Sequence, residues 1–131
     1  MTSPSARRMI QGALIVAGLI HFLPVAGVTG ADRLTSMYAI PFADPNLLIL
    51  MRHRAVMLGL LGGFALYGAF RPALRAPAIA LGAVSLASLV SLAWSIGGYN
   101  EALAKVVRAD TVAVLCFLFA AGLSVVVERK R

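Results

Sequence analysis

Pro45–Phe70 reads PNLLILMRHRAVMLGLLGGFALYGAF, an apolar run of helix length with Arg52, His53 and Arg54 set inside it. At about 1.5 Å per residue the run is longer than the roughly 30 Å of a bilayer's hydrocarbon core, so it is read as a membrane-spanning helix. A cation at bilayer depth costs a few kcal/mol unless it pairs, snorkels to the interface or lines a wet cavity. The three side chains are therefore site candidates, and the rest of the chain has to supply their partners.

The composition agrees with this reading. Of 131 residues, 60% are hydrophobic and 13% charged, whereas soluble domains run about 45–50% apolar and about 25% charged. The net charge of +7 does not point to a nucleic-acid partner, because the basic residues sit in short clusters between apolar stretches, as the positive-inside rule requires. A single cysteine, Cys116, excludes an intrachain disulfide and Cys-based metal spacing.

Outward from the central run, Met9 to Thr29 forms a first span, preceded by Arg7 and Arg8. Its basic start and small residues also resemble a secretory signal peptide, though the apolar stretch is long for one. Pro24 removes a backbone donor and frees the carbonyl of Ile20, which predicts a bend just past His21. Gly30 to Asp44 mixes Asp32 and Arg33 with Leu34, Met37, Tyr38, Ile40 and Phe42, the composition of a short amphipathic segment lying on the membrane surface as a lid. Asp44 suits an N-cap with Pro45 at the first helical position. After the basic turn Arg71 to Arg75, a third span runs from Pro77 to Gly97, stopped by Gly97 and Gly98. Asn100 caps a fourth over residues 101–127.

The expected fold is all-α: one integral membrane domain over residues 1–131, a four-helix up-down-up-down bundle with a short interfacial segment between helices one and two. One side receives Arg7, Arg8, Arg71, Arg75, Arg129, Lys130 and Arg131; the other receives Arg33, Arg52, Arg54, Lys105 and Arg108. Seven against five favours both termini in the cytoplasm. Gly59 and Gly63 in the second span, and Ala78, Gly82, Ser85, Ser88, Ser91 and Ser95 in the third, have the spacing of close helix packing or homodimerisation.

Counting residues from the helix ends puts His21, His53, Ser91 and Asp110 in one layer, roughly 12–14 Å below the outer surface. Direction then divides the charged triplet, since successive helical residues turn by about 100°. Arg52 falls on the stripe of Val56, Gly59 and Gly63, and His53 flanks it above Leu60, Phe64 and Tyr67. Arg54 shares a face with Leu58, Leu61 and Ala65, where it would snorkel to the headgroups. Asp110 aligns with Val114, Phe117 and Ala121, with Lys105 and Arg108 pointing away. The expected site is an inward Arg52–Asp110 ion pair with His21 and His53 around it. Tyr38, Arg54, Ser91 and Arg108 are secondary or interfacial.

Enzyme motifs are absent: no phosphate loop, no zincin histidine pair, no nucleophile elbow. Two histidines at one level are the ligand type for a bis-imidazole haem, and two histidines with one carboxylate suit zinc or iron, although Arg52 and Arg54 would repel a metal cation. The leading expectation is a non-enzymatic membrane module whose outer-leaflet pocket takes an anionic or quinone-like amphiphile, a lipid or a partner subunit. The alternatives are a small dimeric transporter and a haem or redox protein.

In RHRAVMLGLLGG, with DPNLLIL before it and RAD opening the last span, the chain resembles the small four-span bacterial inner-membrane proteins, DoxX-like in size and layout. The likeness covers nearly the whole chain and implies the same four-helix fold and membrane. Some relatives carry the name of phosphopantetheine adenylyltransferase, a soluble nucleotidyltransferase whose H-x-G-H motif neither His21 nor His53 provides.

Overall fold

The structure, a computed structural model, describes residues 3–129; Lys130 and Arg131, counted above among the termini-side cations, lie outside it. Five α-helices and no strand are found among these residues: α1 Pro4–Phe22, α2 Ala31–Tyr38, α3 Pro45–Phe70, α4 Arg75–Ile96 and α5 Glu101–Arg129. Four spans, Pro4–Thr29, Pro45–Phe70, Pro72–Ile96 and Glu101–Arg129, are long and apolar enough to cross a membrane. The chain is thus a multi-pass membrane protein, with the described termini at one end of an up-down-up-down bundle.

Local chemistry sets the boundaries. Ser3 Oγ accepts from Ala6 N at 3.2 Å with Pro4 in the first turn, so α1 starts earlier than expected and carries Arg7 and Arg8 on its first two turns. At Pro24 the helix does not simply bend; it tightens into a 3-10 segment, Leu23–Thr29, a winding that rises about 2.0 Å per residue instead of about 1.5. Asp44 Oδ1 accepts from Asn46 N at 2.8 Å, and Pro45 opens α3 as expected. The third span begins before Pro77, because a proline in the first turn of α4 forfeits an N–H that has no intrahelical partner there. Gly97 and Gly98, at φ 66° and 67°, then stop that helix. Asn100 Oδ1 accepts from Leu103 N at 2.8 Å and caps α5.

Between spans one and two, α2 caps the bundle through one face. Leu34, Tyr38 and Phe42 are buried against Leu48, Met51, Leu103 and Val106, while Asp32, Arg33, Thr35 and Ser36 are exposed. Ile40, an apolar residue of the same segment, points outward. The helix ends at Ala39, whose φ of 53° is left-handed, a conformation that costs a non-glycine residue roughly 1 kcal/mol. Asn100 Nδ2 donates to the Tyr38 carbonyl at 2.8 Å, so the residue that caps α5 also holds the end of α2.

In lipid the usual hydrophobic drive between helices is absent, and association depends on close contact. Only 22–28% of each span's apolar window is buried; Leu23, Ile49, Leu50, Val84, Trp94 and Ile96 are among the large side chains left facing outward. Much of what is buried is small: Ala17, Ala65, Ala69, Ala113 and Ala120 are fully enclosed around Leu14 and Phe117, with Ile10, Ile79 and Leu86 completing the cluster. Helix α1 packs chiefly on α3 and α5, and α4 on α5, whereas α3 and α4 meet less extensively. A Cβ at Gly82 would lie 2.3 Å from the Phe117 ring, so that glycine makes room for the one large aromatic of the core.

The tightest seam is α1 on α3. A Cβ at Gly62 would lie 2.6 Å from Phe22 N and 2.9 Å from Gly18 O, both backbone atoms. The packed stripe of α3 is accordingly Ala55, Gly59, Gly62, Ala65 and Ala69, not the Gly59–Gly63 pairing read from the sequence. A Cβ at Gly63 would meet nothing within 4 Å. Gly62→Ala is expected to lower stability in detergent by about 1–3 kcal/mol and Gly63→Ala by under about 0.5; thermal unfolding of the two variants side by side measures the difference.

Candidate functional site

The seam at Gly62 decides which arginine enters the bundle. With Gly62 against α1, and Gly59 and Ala55 against the 3-10 segment that continues it, Arg54 turns toward α4 and α5, and Arg52, two residues and about 200° away, turns from them. Arg54 and Asp110 line one cavity of about 280 Å³, together with Ser85, Ser88 and the apolar Met57, Leu58, Leu61, Leu86, Leu89 and Leu92. The inward cation is therefore Arg54, not Arg52. The expected Arg52–Asp110 pair does not form: among the described residues the one ion pair is Arg108–Glu101, at 2.5 Å and exposed on both sides.

Each member of the cavity is held by its element. Arg54 Nη1 donates to the Tyr38 hydroxyl at 2.9 Å, and its guanidinium stands 5.8 Å from the Tyr38 ring centroid. The lid helix α2 is thus fastened to the cavity's cation. Arg54 is the tenth residue of α3 and Asp110 the tenth of α5, so both stand one level below the lid. Asp110 is 6% exposed. On α4, Ser88 turns back on its own helix, its hydroxyl donating to the Ser85 carbonyl at 2.7 Å.

Behind the cavity, His21 is 1% exposed, with Nε2 3.2 Å from Ser85 Oγ and Nδ1 buried without a partner. A buried imidazole nitrogen left unpaired costs about 1–3 kcal/mol, which marks His21 as something other than filler. Ser85 takes the place that residue counting gave to Ser91, which is exposed. The longer rise of Leu23–Thr29 sets His21 about 3–4 Å deeper than an α-helical count puts it, and that accounts for part of the offset.

The remaining candidates are elsewhere. Arg52 Nε donates to the Val28 carbonyl at 2.9 Å, closing the last turn of the first span. His53 is exposed, so the two histidines do not converge; His21 alone faces the interior. Among the described residues no three His, Cys, Asp or Glu side chains cluster as metal ligands. Lys105 and Arg108 are exposed, as their direction predicts. Residue counting missed Ser85 and Ser88 as cavity residues, although both belong to the small-residue spacing of the third span; that pattern alone does not separate packing from lining. The chain matches no family model, no curated protein and no solved structure.

A double-mutant cycle separates the two arginines. Arg54→Ala with Asp110→Ala is expected to give a coupling of about 0.5–3 kcal/mol in thermal unfolding, and Arg52→Ala with Asp110→Ala a coupling near zero. The reverse order would return Arg52 to the site.

Proposed function

We propose that the chain is a non-enzymatic membrane module that takes up, from the lipid phase, an amphiphile with a small quinone-like or anionic head in the cavity where α3 and α4 part. The observation that carries the reading is Arg54 and Asp110 set in one cavity whose other walls are largely apolar. A guanidinium only donates and an ionised carboxylate only accepts. Together they suit a head with both an acceptor and a hydroxyl, and an anionic head would use the guanidinium. A space of about 280 Å³ is at the small end of ligand sites, which begin near about 300 Å³. It holds a head group, while the tail lies in lipid along the exposed Met57, Leu60 and Leu92. A polar side chain of a partner subunit would satisfy the same pair.

The bacterial inner membrane is the location that the resemblance in layout implies, with both termini cytoplasmic on the Lys and Arg count. Tyr38, which ties the lid to Arg54, would govern entry. Mass spectrometry of lipids and quinones extracted from the gently purified protein tests the binding reading. Wild type and Arg52→Gln should retain a stoichiometric amphiphile that Arg54→Gln and Asp110→Asn lose; wild type that carries none, even after reconstitution with quinone-doped lipid, would falsify it.

The buried carboxylate, which has no ion-pair partner among the described residues, favours one second reading, a small carrier that couples transport to protonation of Asp110. That reading expects proteoliposomes loaded with a pH dye to acidify under an imposed gradient with wild type and not with Asp110→Asn. Equal traces would dismiss it.

A further inference from the structure

The opposite end of the bundle holds a second cavity, of about 510 Å³, with different chemistry. It lies where the first two turns of α1 meet the turn from α3 into α4, and Arg7, Arg8, Gln11, Phe70 and Arg75 line it. Three guanidiniums converge there with no acidic side chain in the wall. The one acid at this end, Glu128 on the last turn of α5, does not line the cavity, and none of the three arginines forms an ion pair among the described residues.

The backbone charge around the cavity is mixed. The cavity sits at the start of α1, with Ser3 and Pro4 in its wall, and at Arg75, the first residue of α4. Two helix N-termini, each carrying a partial positive charge, therefore border the space, as does the negative C-terminal end of α3 at Ala69 and Phe70, so the arginine side chains supply the net positive charge. Arg75 donates from Nη2 to the Ala69 carbonyl at 3.1 Å, which fixes the side chain against the end of α3, and its Nε is buried without a partner. A planar, fixed guanidinium with spare donors is the group that recognises phosphate in a bidentate way. Basic pockets between spanning helices at the membrane surface have the chemistry to hold anionic head groups.

From this we infer a phosphate-binding site: the Arg7–Arg8–Arg75 cavity takes a phosphate group, on an anionic phospholipid head or as the free anion. Phe70 and Pro4 give the wall an apolar part beside the charges, which suits the lipid form. This site is independent of the amphiphile reading, because no residue is shared between the two cavities.

The full chain, purified in detergent at physiological ionic strength so that diffuse attraction is screened, is titrated with phosphatidylglycerol, phosphatidylcholine and inorganic phosphate. Binding is followed by thermal midpoint and by native mass spectrometry. Phosphatidylglycerol is expected to raise the midpoint and to remain bound where phosphatidylcholine does not. Arg75→Gln, and separately the exposed pair Arg7→Gln with Arg8→Gln, should weaken it by about tenfold or more. Arg71→Gln is the control, since Arg71 has the same charge at the same end but lies over the Tyr67 ring, 5.6 Å from its centroid, outside the cavity. A response to inorganic phosphate as strong as that to the lipid assigns the free anion, and a response to phosphatidylglycerol alone assigns the lipid; either supports the site. No preference over phosphatidylcholine with no response to phosphate, or equal losses from Arg71→Gln and Arg75→Gln, overturns it.

Discussion

The backbone of α1 touches the backbone of α3 at Gly62, and the rest of the bundle follows from how closely they meet. The glycine lets Phe22 N and Gly18 O approach to distances no side chain would allow. In lipid, where burial of apolar surface gives helices little reason to associate, such contact is the main attraction available. It also fixes the rotation of α3. Once Ala55, Gly59 and Gly62 face the first span, Arg54 has to face α4 and α5, and Arg52 has to look past the end of α1 toward Val28.

This explains how much could be read from the residues alone. Spans, caps and stops were legible because each depends on nearby chemistry: Asp44 before Pro45, Asn100 before Glu101, and Gly97 with Gly98 at positive φ. The face of each helix was less legible, because it depends on a partner. Gly59 and Gly63 form as good a small-residue spacing as Gly59 and Gly62, and only the neighbouring backbone distinguishes them. With the stripe settled at Gly62, the inward charge is Arg54 and not Arg52. Of the Arg52 stripe only Gly59 meets the first span, and at the level of Arg52 that span offers the Val28 carbonyl. Depth was misjudged for a related reason: a proline visible in the sequence changes the rise as well as the direction of the segment after it, so His21 meets Ser85 in place of Ser91.

The polar groups divide between the two ends. At the lid end opposite charges share a cavity, and Tyr38 joins the cation to α2. At the termini's end charge of one sign accumulates around Arg75. The exposed Arg108–Glu101 pair is a surface feature, of a kind that contributes little to stability. Asn100 contributes more than its size suggests, because one side-chain amide caps α5 with its oxygen and holds the strained end of α2 with its nitrogen.

The centre of the bundle sets alanines between a few larger side chains, Ile10, Leu14, Ile79, Leu86 and Phe117. Truncating a large side chain is the usual way to damage a protein interior, and those five are the ones open to it there, whereas the alanine and glycine positions on the seams are open chiefly to growth. Tolerance to mutation is therefore divided by position: the small residues of the seams resist growth, and the large residues between them resist loss. A lineage of such chains is free to vary its lipid-facing surface widely while its seams, at Gly62 and Gly82 above all, are confined to the smallest residues.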